Sequence, residues 1–331
     1  MTRYLPLALA LVILLSGCRS AQSVLDAQGD MAIALKDLII FIALVAAVIW
    51  LAVVSFMAIT LVRRKGQIVR LDHRSERIMT IAVATATTAT ILTVGILTVA
   101  SFYTTRALTT GGDPDVTIIV RAQQWWWQFI YADDDRKQIF QTANELHVPV
   151  GKTIQLRLQA ADVIHSFWVP SLAGKLDLIP GRENLLTLRA EKPGIYRGQC
   201  AEFCGLQHSH MAFVVIVEDD ADYQHWLAGQ RLDAATPSAA EAIAGQAVFL
   251  AKQCAACHAI RGTPASGSTG PDLTHVGSRR TIAAGLLETT RGSFAAWIAD
   301  PQTLKPGNNM PIVPLTADEL RQLSAYMESL R

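Results

Sequence analysis

Residues 200–211 read CAEFCGLQHSHM. Two cysteines, two histidines, a glutamate and a methionine share this stretch, and Gly205 lets the chain bend sharply between them without a side-chain clash. Short β-rich runs flank it: VTIIVRAQQWWWQFIY (116–131), TIQLRLQA (153–160) and NLLTLRA (184–190) before, AFVVIVE (212–218) after. Gly- and Pro-bearing turns separate them, namely VPVGK, IPGRE and EKPGIY. The pattern predicts a small all-β sandwich or barrel over residues 105–227, with the donor-rich stretch as one of its loops.

Several chemistries compete for that loop. An exported protein can close Cys200 and Cys204 into a disulfide. The C-x3-C-x3-H spacing can hold structural zinc. Two thiolates can also bridge a pair of coppers, or His208 and Met211 can be plain surface residues. Met211 on the loop and His165 in DVIHSFWVP, after a strand and before a Pro-bounded turn, add soft and borderline donors, which favours copper.

C-x-E-x-C-G-x-x-H-x-x-M, with HSFWVPSLAGKLDLIPGREN (165–184) upstream, resembles subunit II of cytochrome c oxidase and its binuclear CuA centre over about residues 36–226. The resemblance implies that Cys200 and Cys204 bridge the coppers and that His165 and His208 each ligate one. Met211 is then the weak ligand on one copper and the backbone carbonyl of Glu202 on the other. The Glu202 side chain would face a magnesium or manganese site shared with the catalytic subunit. Two thiolate-bridged coppers on a rigid scaffold suit electron transfer and not bond making. Trp125 in QQWWWQF falls where the family has its electron-input tryptophan, although the residues before it depart from the family pattern. The other reading of that run is ordinary strand aromatics. His210 departs from the family too and is read as a non-ligand.

The first thirty residues have their own pattern. MTRYLPLALALVILLSGC joins Arg3, an apolar run and small residues before Cys18, as in a lipoprotein signal peptide spanning 1–17 with Cys18 as the lipidated residue. A plain signal peptide with an incidental cysteine is the other reading. Two apolar runs follow, 38–62 and 78–103, each long enough to cross a bilayer. The segment 63–77 between them holds six Lys/Arg against two acids, which places it in the cytoplasm and both ends of the hairpin outside. Glu76, in LDHRSERIMTI, falls where the resembled family has an acid at the mouth of a proton pathway. The family's proline is absent from this helix, and a solvated charge is the alternative.

Residues 228–240 are rich in Ala, with Ser, Pro and Gly, and read as a flexible linker before a last domain at 241–331. C-x-x-C-H in AVFLAKQCAACHAI is the c-type haem attachment motif. Cys254 and Cys257 would form the thioethers and His258 the proximal ligand. Met310 in KPGNNMP is the expected sixth ligand, with His275 as its rival and Met327 as core. Met/His ligation fills both axial sites, so such a haem carries electrons and does not bind oxygen. The domain resembles class I cytochrome c, with GPDL at 270–273 and a capping box at Thr316 and Glu319 opening the final helix.

The expected fold is thus a multidomain membrane protein: a two-helix transmembrane hairpin in 18–104, a cupredoxin-like all-β sandwich and an all-α class I cytochrome c domain. This combination resembles subunit II of the caa-type oxidases. That implies haem c and CuA as cofactors, and subunit I (haem a and copper B) and subunit III as partners. A soluble cytochrome or a quinol–cytochrome c reductase would be the electron donor. The location would be the bacterial inner membrane, multi-pass, with both redox domains on its outer face. The chain itself would carry no catalytic residue; the catalytic subunit would reduce oxygen to water and pump protons. A CuA-containing nitric oxide reductase and a copper-delivery protein are the alternatives. Net charge is +1, which gives no support for nucleic-acid binding.

Overall fold

The computed structural model describes residues 22–63, 73–109, 113–132, 135 and 138–331. The expected signal peptide, Cys18 and most of the basic segment after Arg63 lie outside the described residues.

Two helices open the chain, α1 (Asp30–Arg63) and α2 (His73–Thr109). Both run past the apolar stretches that predict them into polar ends. Asp30 stands in the first turn of α1 and Arg63 in its last, each matching the helix dipole. At 1.5 Å per residue either helix exceeds a hydrocarbon core of about 30 Å, and both are apolar enough to cross it. In α2 the hydroxyls of Thr80, Thr88, Thr90 and Thr98 donate to the carbonyl four residues earlier. Each of these four hydroxyls is thereby satisfied within its own helix, as an apolar surrounding demands. Among the described residues, those between 33 and 109 form one compact unit, and 22–32 with those from 113 to 331 form another.

The second unit begins with a sandwich of ten strands: β1 (Val116–Gln123), β2 (Trp126–Tyr131), β3 (Phe140–Ala143), β4 (Glu145–Pro149), β5 (Ile154–Ala160), β6 (His165–Trp168), β7 (Leu176–Leu178), β8 (Asn184–Leu188), β9 (Gly194–Cys200) and β10 (Ala212–Glu218). One sheet has the order β3-β2-β1-β5-β8, the other β4-β10-β9-β6-β7. β1 pairs with β5 and β4 with β10 in parallel; the other pairs are antiparallel. Alternation sets the inner faces: Ile118, Val120 and Ala122 on β1 and Ile154, Leu156 and Leu158 on β5 are buried, and Phe213, Val215 and Val217 of β10 face them. The long run 116–131 is a hairpin folded at Gln124–Trp125, with Gln123 paired to Trp126.

Helix α3 (Asp220–Arg231) caps one end of the sandwich and lays Trp226 flat on His147, ring centroids 3.9 Å apart. His147 Nε2 meets Glu145 Oε1 at 3.1 Å and Nδ1 meets Glu218 Oε2 at 2.9 Å, while its backbone bonds the Tyr131 hydroxyl. Burial lowers the His147 pKa, but the hydrogen bonds and charges of the two glutamates outweigh it, so the net shift is upward. A raised folded value stabilises fully below the unfolded value of about 6.5 and loses that contribution as pH rises through the folded one. The stability difference between wild type and His147→Gln should therefore shrink from pH 6 to pH 8 in denaturant titrations. A difference independent of pH would show that the ring titrates alike in the folded and unfolded chains, and a difference that grows with pH that it is neutral in the folded protein.

The segment expected to be a flexible linker is fastened at its start. Residues 228–231 complete α3. Arg261 then donates to the carbonyls of Gln230 and Leu232, Ala234 N donates to Arg261 O at 3.1 Å, and His275 Nε2 lies 3.1 Å from Leu232 O. The guanidinium satisfies carbonyls that the end of α3 leaves unpaired.

The C-terminal domain has α4 (Ala240–Ala251), a small hairpin β11 (Thr281–Ile282) and β12 (Leu287–Glu288), α5 (Arg291–Ala299), α6 (Pro301–Leu304) and α7 (Ala317–Ser329). The capping box of α7 is present: Glu319 N donates to Thr316 Oγ1 and Thr316 N to Glu319 Oε2. Helices α4 and α7 cross over Phe249, Leu323, Tyr326 and Met327. Met327 is 4% exposed, a core residue as expected.

Candidate functional site

The donor-rich loop joins β9 to β10, and its side chains converge. Cys200 Sγ and Cys204 Sγ are free thiols 3.8 Å apart, so no disulfide joins them. His165 Nδ1 lies 3.9 Å from Cys200 Sγ, and His208 Nδ1 lies 3.7 Å from Cys204 Sγ. Met211 Sδ stands 3.8 Å from Cys204 Sγ, and the Glu202 carbonyl 3.2 Å from Cys200 Sγ. His165, Cys200 and Cys204 bring their donor atoms within 4.8 Å of one another, all three buried. The residues fit a pair of coppers: two central sulfurs, one imidazole nitrogen beside each, and a weaker donor beside each. The hydrogen bond between Cys200 and Cys204, with that to His165, outweighs burial to hold the Cys200 thiol at about 3. The Cys204 thiol is pushed up, first by the same bond and then by burial. Binding a metal would release the protons that the two thiols carry.

Gly205 makes the loop possible. Its φ is +111°, and a Cβ there would stand 3.1 Å from both Gln124 Nε2 and Trp125 Cζ2. Trp125 lies against the loop, 8% exposed, with its indole N–H donating to the Cys204 carbonyl at 2.9 Å. Gln124 Nε2 donates to the same carbonyl at 2.8 Å. Trp127 Nε1 donates to Met211 O at 3.3 Å.

Asp162 was not singled out in the sequence, although it stands three residues before His165. Its Oδ1 accepts from His165 Nε2 at 2.9 Å, which fixes the ring with Nδ1 facing Cys200. Its Oδ2 accepts from Gln124 N at 2.6 Å, tying the tryptophan turn to the same carboxylate. Asp162→Ala should weaken copper binding by roughly 10–100-fold. Competition with a chelator of known affinity measures this; an unchanged affinity would show that the ring needs no partner.

The second group of donors is in the C-terminal domain. His258 Nδ1 donates to Pro271 O at 2.7 Å, which fixes the ring and frees Nε2 for an iron. The loop after it is shaped to the motif: a Cβ at Gly267 would lie 2.4 Å from Cys257 C, and one at Gly270 2.6 Å from His258 Cε1. Cys254 and Cys257 are free, half-buried and exposed respectively. These features fit a covalently attached haem. Met310 is half-buried against the domain core, with N held by Asn308 Oδ1 and O by Gln302 Nε2. His275, its rival, is buried with Nε2 on the Leu232 carbonyl.

Of the remaining expected residues, Glu76 sits in the first turn of α2 beside His73, and the Glu202 side chain is half-buried. His210 Nδ1 is engaged by Gln207 Oε1 at 2.9 Å, away from the donor cluster. Lys305 was quoted in KPGNNMP but given no role. It is 3% exposed and donates to three carbonyls beside the loop. Burial lowers its pKa to about 7, opposed by the Cys204 charge.

Two family profiles match the chain. The family profile "Cytochrome C oxidase subunit II, periplasmic domain" matches residues 134–218, and the profile "Cytochrome c" matches 242–331. Cytochrome c oxidase subunit 2 of Alkalihalophilus pseudofirmus is 34% identical, over 100% of this chain and 97% of that protein. The Bacillus subtilis protein of the same name is 32% identical over 65% of this chain and 62% of its own. Among solved structures, the periplasmic domain of subunit II of cytochrome oxidase from Bradyrhizobium japonicum is 31% identical. It covers 37% of this chain and 97% of that one, with a TM-score of 0.35.

Proposed function

This chain belongs to the cytochrome c oxidase subunit II family, and from that premise we propose that it passes electrons from a donor through haem c and CuA to a catalytic subunit that reduces oxygen to water and pumps protons. It is a subunit of a haem-copper oxidase with a fused cytochrome c domain, anchored by its N-terminal helices and associated with subunit I. The observation that carries the reading is the convergence of six donors on the β9–β10 loop, with the Trp125 indole bonded to the Cys204 carbonyl.

The residue roles follow. Cys200, Cys204, His165, His208, Met211 and the Glu202 carbonyl would hold the coppers. Cys254, Cys257, His258 and Met310 would hold the haem. When bound, the haem and the copper pair would each supply a one-electron couple, so electron transfer between them would need no bond made or broken. The chain's own part is to hold donors still and keep water away. Asp162 and Pro271 O orient the two histidine rings, and the Trp125 and Trp127 rings close the copper loop from the sandwich side. Trp125 would be the electron-input residue, and the Glu202 carboxylate would reach a magnesium or manganese ion shared with subunit I. Glu76 would stand at the mouth of a proton pathway, Cys18 would carry lipid, and subunit III would complete the complex. A soluble cytochrome or a quinol–cytochrome c reductase would supply the electrons.

The test is metal analysis and electron paramagnetic resonance on the full chain loaded with copper and haem. Two coppers per iron, with hyperfine structure from an electron shared equally, support the reading. One copper with a localised signal, or zinc in its place, overturns it.

A further inference from the structure

Lys305 is a buried lysine whose hydrogen-bond partners, among the described residues, are carbonyls alone. Its Nζ donates to Trp125 O at 2.7 Å, His210 O at 2.9 Å and Ala283 O at 3.3 Å. Three donors thus meet three acceptors from three segments: the β1–β2 turn, the copper loop and the β11–β12 hairpin. No carboxylate pairs with it among the described ion pairs. Burying an ammonium in this way is expensive and is recovered only where each proton is bonded. Two of the three acceptors belong to the sandwich, whereas Lys305 belongs to the haem domain.

The loop that carries Lys305 is braced onto Met310. Gln302 Nε2 donates to the carbonyls of Asn308 and Met310, Gly307 N donates to Gln302 Oε1, and Asn308 Nδ2 donates to the carbonyls of Pro301 and Lys305. Fixing Lys305 therefore fixes the segment that presents Met310. Around the lysine the two domains touch closely. Gln207 Nε2 donates to Pro306 O at 2.8 Å, Asn309 Nδ2 to Gln124 O at 3.3 Å, Ala212 N to Ala284 O at 3.1 Å and Arg280 N to Glu145 Oε2 at 2.8 Å. Gly307, at φ +80°, lies so near that a Cβ would stand 3.0 Å from Leu206 Cδ1 and 3.7 Å from Trp125 Cη2.

We propose that Lys305 is the latch between the two redox domains, a positioning residue that seats the Met310 loop directly on Trp125 and the copper loop. It rests on the electron-input reading above and deepens it: the domains do not meet by random motion of a tether but share one docked geometry. A tether alone raises the effective concentration of one domain at the other; a latch adds orientation. Charge does not supply it, since residues 241–331 carry eight Lys/Arg against seven Asp/Glu.

The test uses the full chain in detergent and compares wild type with Lys305→Met by amide hydrogen exchange. The amides of Ala212 and Arg280 donate across the contact, so they report docking rather than the fold of either domain. In Lys305→Met these two should exchange at least about tenfold faster, while amides in β1, β5, α4 and α7 keep wild-type rates. Haem spectrum and copper content are measured on the same samples. Wild-type protection of Ala212 and Arg280 in a haem-loaded Lys305→Met chain overturns the latch. If that variant loses haem, Lys305→Arg, which keeps the charge but not the three-point fit, is read the same way. Loss of haem from both would make Lys305 part of the haem loop itself and also overturns the proposal. Failure of the copper assignment shows separately, as a wild-type chain without the shared-electron signal, and leaves the exchange result standing.

Discussion

Cys204→Ser should leave at most one copper per chain and abolish the shared-electron signal, while the haem spectrum stays as in wild type. Cys204 Sγ is the centre of the cluster, within 3.8 Å of Cys200 Sγ and Met211 Sδ and 3.7 Å of His208 Nδ1. A serine oxygen is a hard donor that does not bridge soft copper ions as a thiolate does. The substitution barely alters the fold, because the Cys204 carbonyl still accepts from Trp125 and Gln124. On the electron-input reading Cys204 would bridge the coppers, and losing such a ligand exceeds the loss of an outer-shell partner, so donor-to-oxidase electron flow should fall by more than about 100-fold. The haem should be untouched, since its domain has its own core around Phe249, Tyr326 and Met327. Metal analysis, electron paramagnetic resonance and the visible spectrum of the same sample decide it. A persisting equal-sharing signal would remove Cys204 from the bridge.

The donor-rich loop was legible because most of its candidate donors lie within twelve consecutive residues, and the C-x-x-C-H motif because its three candidate haem ligands do. His165 is thirty-five residues from Cys200 and was found only through the chain around it. Strands with clean alternation, such as β1 and β5, could be read directly. Strands β3, β6 and β7 could not, because three or four residues carry too little period and their burial comes from neighbours far along the chain. The segment after α3 has the composition of a linker, yet Arg261 and His275 hold it from a distance that sequence does not display. Lys305 illustrates the same limit. A lysine beside Pro and Gly reads as a solvated loop residue, and only the docking of two domains buries it.

Gly245→Ala sets two effects of opposite sign against each other. On helix propensity alone, alanine within α4 is the better residue by about 1 kcal/mol. The new Cβ, however, would stand 2.1 Å from Gln322 O, 2.6 Å from Gln322 C and 2.8 Å from Tyr326 Cβ. The first two are backbone atoms of α7, so no side chain can swing aside; the two helices must separate. Tyr326 is fully buried and packs edge-on against Phe249, so separation loosens the centre of the haem domain. Overpacking of this kind costs about 1–3 kcal/mol or more, which exceeds the propensity gain. For a domain of this size the melting midpoint of the haem domain should fall by roughly 5–15 °C. Copper content and the copper signal serve as internal control, because α4 and α7 lie in a core separate from that of the sandwich. Calorimetry on the haem-loaded chain, with the haem absorbance followed in parallel, measures the shift. A midpoint equal to or above that of wild type would mean that α4 and α7 are not in backbone contact at Gly245, and the crossing that frames the haem domain would have to be redrawn.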